Sequence, residues 1–155
     1  MNSMQVKDKL KNIAIKRNLD FNTLIRLYMY DRFIERLAAS KYRDNFILKG
    51  GFYLSTLFGL ESRSTKDIDT AIKDANFTKE NVEKMIKSII SIDINDDALI
   101  SFIEIGNIRE EDQYGGFRVI LNVKVDTIRE NFQIDIETGD PITPKPIVYK
   151  YRQIL

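Results

Sequence analysis

The sequence predicts a mixed α/β fold of the α+β kind, with a central, mostly antiparallel sheet and helices packed on it. Two patterns carry this. Apolar residues recur at helical spacing through most of the first ninety positions, and from Leu99 onward they alternate in strand fashion. Length supplies the third argument. At 155 residues and 43% hydrophobic content, the chain has enough apolar surface for one core, and no repeat, low-complexity tract or second boundary divides it. Residues 1–155 therefore read as a single domain.

Each element has its own signal. Val6, Leu10 and Ile13 make the stripe of a first amphipathic helix. Asp20 or Asn22 caps a second, which runs to about Ala39 with Leu24, Leu27, Tyr28, Ile34, Leu37 and Ala38 inward. Phe46-Ile47-Leu48 reads as a short buried strand, closed by Gly50-Gly51. Tyr53, Leu54, Leu57 and Phe58 then mark a short helix, with Gly59 at its C′ position. Asp67-Ile68-Asp69 begins the next strand. Thr78 caps a helix carrying Val82, Met85, Ile86, Ile89 and Ile90. Three strands follow, Leu99 to Ile108, Phe117 to Val125 and Phe132 to Glu137, and Gly115-Gly116 turns the first into the second.

Composition narrows the chemistry. The chain has 24 Lys and Arg against 23 Asp and Glu, a net charge of +1, so no global field favours nucleic acid or an acidic surface. It contains neither histidine nor cysteine. That removes Ser–His–Asp triads, thiolate chemistry, disulfides and zinc sites built on imidazole or sulfur. Metal chemistry here has to run on carboxylate oxygens, which suit magnesium or manganese. No apolar run reaches membrane-spanning length, and MNSMQVKDKLKNIAIKRN lacks a signal-peptide core, so a cytoplasmic protein without membrane contact is expected.

Candidate chemistry concentrates between Phe46 and Ile72. A Gly-Gly turn feeding a helix presents unpaired N–H groups and a positive dipole end, a device for holding phosphate. Asp67 and Asp69 flank Ile68 and so share one strand face, where a divalent cation would relieve their repulsion. An isolated D-x-D is equally a charged, solvent-facing strand edge. Downstream, Phe132, Ile134 and Ile136 alternate with Gln133, Asp135 and Glu137. Asp135 completes a three-carboxylate cluster if this strand lies beside Asp67–Asp69, and Glu137 competes for that role on the same face. Lys49 either touches phosphate or flanks its strand, and Arg63 either clamps a triphosphate or solvates a loop. Glu104, Glu110, Glu111 and Asp112 read as a solvated hairpin tip, and Lys7, Lys9, Lys11, Lys16 and Arg17 as a solvated helix face.

Taken together, the strings YMYDRFIERLAASKYRDNFILKGGFYLSTLFGL, SRSTKDIDTAI and FQIDIETGD resemble the AbiEii/AbiGii toxin family of abortive-infection and toxin–antitoxin systems, within the polymerase-beta-like nucleotidyltransferase superfamily. Gly50 and Gly51 match that family's nucleotide-phosphate turn. Asp67 and Asp69 match its metal-binding pair, and Asp135 the Asp of its second motif. Lys49, Arg63, Ser64 and Thr65 match residues flanking the nucleotide. The resemblance implies a nucleotidyltransferase fold and transfer of NMP from an NTP to an acceptor hydroxyl with Mg2+ or Mn2+. It also implies a cognate antitoxin as partner and tRNA as a candidate acceptor. Family members run to about two domain lengths. Their later Lys and Lys-Asp motifs have no counterpart here, so 1–155 is expected to be the N-terminal catalytic domain, with the C-terminal helical lobe absent. Three other readings stay open: a non-catalytic NTP- or antitoxin-binding module, a minimal nucleotidyltransferase acting on a protein or small molecule, and a structural α/β interaction domain in which the aspartates are only surface charges.

Overall fold

The computed structural model of the chain describes residues 3–49, 68–108 and 115–138. The expected helix at 52–58 with its Gly59 stop lies outside them. Helix α1 (Ser3–Arg17) buries Val6, Leu10 and Ala14, with Ile13 at the margin. It ends where Asn18 turns left-handed at φ 53°, a conformation asparagine tolerates, and the Leu19 N–H reaches back to the Ala14 carbonyl at 2.9 Å. Helix α2 (Phe21–Ala39) starts at Asp20, whose Oδ2 accepts from the Thr23 N–H at 3.2 Å and its hydroxyl at 3.1 Å. Leu24, Leu27, Tyr28, Ile34 and Leu37 are buried as expected and Ala38 is exposed, while Ile25, Met29, Tyr30, Asp31, Arg32, Phe33 and Arg36 are buried as well, so the helix is covered on most of its circumference. Helix α3 (Lys79–Ile90) is capped by Thr78 and buries Val82, Met85, Ile86 and Ile89.

The sheet has five strands: β1 (Phe46–Lys49), β2 (Ile68–Ile72), β3 (Ala98–Asn107), β4 (Phe117–Val125) and β5 (Ile128–Thr138). Their spatial order is β1-β2-β5-β4-β3, and every pairing is antiparallel except β2 with β5. β5 starts four residues earlier than the alternation suggested. A two-residue connection at Asp126-Thr127, with Asp126 at φ 56°, pairs Val125 directly with Ile128 and so recruits the polar run Arg129–Asn131 into the ladder. Gly116 sits where the chain crosses the end of β5: a Cβ there would lie 2.3 Å from the Ile136 carbonyl oxygen, so only glycine fits. In β3 the pairing slips between Phe102 and Glu104, which leaves Ile103 half-exposed.

The core lies between one sheet face and the helices. Ile68 and Ile72 of β2, Val119, Leu121 and Val123 of β4, and Phe132, Ile134 and Ile136 of β5 all point into it. Tyr30 and Phe33 of α2 meet Phe132 edge-on, with ring centroids 5.1 and 6.2 Å apart. Charge is also buried. Arg36, its side chain 4% exposed, grips Asp96 through Nη2–Oδ1 at 2.7 Å and Nη1–Oδ2 at 3.1 Å, and donates to the Ala98 carbonyl at 3.0 Å. Arg32 adds a 2.9 Å pair with Glu35 and lies 4.8 Å over the Tyr28 ring. This network ties α2 to the entrance of β3. Lys7, expected on a solvated face, donates to the Thr127 hydroxyl at 3.1 Å and links α1 to the β4–β5 turn. No helix among the described residues is long and apolar enough to cross a membrane.

Candidate active site

Alternation decides which side chains leave the core. In β2, Ile68, Thr70 and Ile72 are buried and Asp69 points the other way; in β5, Ile134 and Ile136 are buried and Asp135 points the other way. Both aspartates therefore lie on the sheet face turned from α2 and α3. Their strands pair in parallel with Asp69 opposite Asp135, which sets the two backbones one strand spacing apart, about 4.8 Å. Thr70 fastens this junction by donating its hydroxyl to the Asp135 carbonyl at 3.3 Å.

The same row continues in both directions. Lys49 of β1 is the register partner of Asp69, and Arg118 of β4 that of Asp135. Arg118 holds Asp135 in a two-pronged grip, Nε–Oδ1 at 2.9 Å and Nη2–Oδ2 at 3.1 Å. Four consecutive strands thus place Lys, Asp, Asp and Arg in one line across the sheet. Glu137, the competing candidate, stands opposite Ala71 and is exposed, so the register puts Asp135 rather than Glu137 beside Asp69. Sequence reasoning missed Arg118. The only signal it carries is its place in Phe117-Arg118-Val119-Ile120-Leu121, where Val119 and Leu121 go inward and Arg118 outward.

Gly50, Gly51, Arg63, Ser64, Thr65 and Asp67 lie outside the described residues, as do Glu110, Glu111 and Asp112; Glu104 is exposed on β3. Among the described residues no three acidic groups gather as a metal cluster. Asp69 and Asp135 alone are still a fitting donor set for a hard divalent ion. They offer oxygens from adjacent strands, and magnesium commonly takes one or two carboxylates and fills its remaining positions with water and phosphate.

The family model described as nucleotidyl transferase AbiEii toxin, type IV toxin–antitoxin system, matches residues 32–155. Among solved structures, a candidate nucleotidyltransferase from Helicobacter pylori superposes with a TM-score of 0.48 at 21% identity, over 81% of this chain and 49% of that one. The Helicobacter pylori protein JHP933 superposes with a TM-score of 0.43 at 20% identity, over 79% and 44%. The chain spans about half the length of these structures. No curated protein matches significantly. With the family match running from Arg32 to Leu155 and covering both aspartates of the central row, the chain belongs to the AbiEii nucleotidyltransferase toxin family.

Proposed function

We propose that this domain is the catalytic part of a toxin that transfers a nucleotidyl group from an NTP to an acceptor hydroxyl, with tRNA a candidate acceptor. The observation that carries the reading is the parallel register of Asp69 with Asp135 at the centre of the sheet. Asp67, Asp69 and Asp135 would hold Mg2+ or Mn2+. When bound, the ion neutralises phosphate charge and favours departure of pyrophosphate. The chain's own groups do the rest. The main-chain N–H groups of Gly50 and Gly51, with Lys49, Arg63, Ser64 and Thr65 around them, would orient the triphosphate. Asp135, on the side of the row away from β1, would accept the proton of the attacking hydroxyl. The acceptor oxygen then bonds to the α-phosphorus, the bond from that phosphorus to the bridging oxygen breaks, and pyrophosphate leaves.

The proposal includes a cognate antitoxin, as the family's toxin–antitoxin assignment implies, and a cytoplasmic setting where NTPs and magnesium are present. It also takes 1–155 as the catalytic lobe, to which a helical lobe would add nucleoside contacts. The test is transfer of label from each α-labelled NTP to total RNA with magnesium, using wild-type protein and Asp69→Asn and Asp135→Asn. Label on RNA that both substitutions abolish supports the reading. Label that appears only on protein or a small molecule replaces the acceptor, and label indifferent to both aspartates defeats the assignment.

A further inference from the structure

We propose that Arg118 is an exchangeable counter-ion for Asp135: its guanidinium occupies the carboxylate in the metal-free protein and competes with a divalent cation for it. This rests on the metal role proposed above for Asp135. The grip engages both carboxylate oxygens, so a cation arriving at Asp135 meets a positive group already in place. Repulsion between a divalent ion and a guanidinium one side chain away weakens cation binding for as long as the grip holds.

The geometry also allows release. Arg118 is 41% exposed at its side chain while Asp135 is 18% exposed, so water reaches the guanidinium more readily than the carboxylate it holds. A half-exposed guanidinium can exchange its carboxylate contacts for water, which lowers the cost of opening the pair. The central row explains why a guanidinium is needed there. Asp69 and Asp135 on adjacent strands bring two negative charges together, and Arg118 offsets that of Asp135. Cation alone therefore binds weakly, and a nucleotide that brings its cation and its own negative charge is the better competitor.

The experiment is titration of the 155-residue chain with Mn2+ alone, free ion being read by electron paramagnetic resonance. It uses wild type, Arg118→Ala, Arg118→Lys, Asp135→Asn and the Arg118→Ala/Asp135→Asn double variant, each checked for fold by circular dichroism. Removing the guanidinium should tighten Mn2+ binding about threefold to tenfold, the scale of a partly exposed charge pair. Arg118→Lys should fall between, and the gain should vanish in the Asp135→Asn background. Should Arg118→Ala fail to fold, Arg118→Lys and Arg118→Gln carry the same prediction. Unchanged or weaker Mn2+ binding on loss of Arg118 overturns the proposal, as does a gain that persists without Asp135. If Asp135→Asn alone leaves Mn2+ binding as in wild type, the underlying metal reading has failed. Absence of Mn2+ binding in every variant removes both.

Discussion

At Asp69 and Asp135 one atom exchange separates chemistry from scaffolding. Asparagine keeps the shape of each side chain and removes the negative charge a cation requires. Asp69→Asn and Asp135→Asn should lower nucleotidyl transfer by about a hundredfold or more, the usual scale for losing a charge-stabilising group at a reacting phosphate. Stability should move little. Asp135→Asn weakens a pair whose arginine is half-exposed, a change of about 1 kcal/mol. Parallel assays of transfer and thermal midpoint check both halves, and a variant that unfolds would mark its aspartate as structural. Gly116 makes the opposite kind of prediction. A methyl group there would press on the Ile136 carbonyl, next to Asp135 in the chain, so one of the two backbones would have to shift. Gly116→Ala should cost about 1–3 kcal/mol, read as a lowered urea midpoint.

Helix α2 shows most clearly what an element does for the rest. Its aromatic face packs on Phe132 of β5, and its arginines reach Asp96 at the mouth of β3. Truncating Arg36 leaves Asp96 in a nearly dry site with only the longer 3.4 Å pair to Arg32, so Arg36→Ala should destabilise by about 3 kcal/mol, measured by chemical denaturation. Tyr28, on the same helix, gives this region a pH signature. Burial raises its hydroxyl pKa from 10.0, with Asp96, Asp97 and Glu35 pushing the same way and Arg32 opposing. The unfolded chain thus loses this proton first. The stability it contributes is complete below about pH 10 and fades as pH climbs from there toward the folded value. Tyr28→Phe should therefore flatten the loss of stability that sets in above about pH 10, seen in urea midpoints measured upward from there.

The caps and stripes of α2 and α3 were legible because they are local: Asp20 and Thr78 act within three residues, and Val82, Met85, Ile86 and Ile89 recur at helical spacing. The buried arginines were not. Charges on a helix read as solvent-facing unless the distant Asp96 is known to lie above them. The early start of β5 was hidden for a similar reason, since Arg129, Glu130 and Asn131 lack apolar alternation and only the Asp126-Thr127 turn brings them opposite β4.

Across the whole molecule, the arrangement that matters is the parallel seam between β2 and β5, two strands separated by a helix and a β-hairpin in sequence. Alternation alone put Asp69 and Asp135 on polar faces. Which strands are neighbours, and in which register, depends on how α2 and α3 cover the opposite face and on the β3–β4–β5 meander that delivers β5 to the sheet centre. The residues between 50 and 67, read as the phosphate turn and the first aspartate of the pair, follow β1, whose last residue is already in line with Asp69.

The central claim is that Asp69 and Asp135 share a divalent cation that accompanies the nucleotide. Crystals of this chain grown with Mn2+ and a non-hydrolysable NTP analogue, with data collected at the manganese absorption edge, test it directly. The account predicts an anomalous peak between the two strands, about 2.0–2.3 Å from an oxygen of each carboxylate, with the analogue's phosphates on the same ion. An ordered analogue bound elsewhere on the molecule, or bound beside the two aspartates with its manganese touching neither, would contradict it.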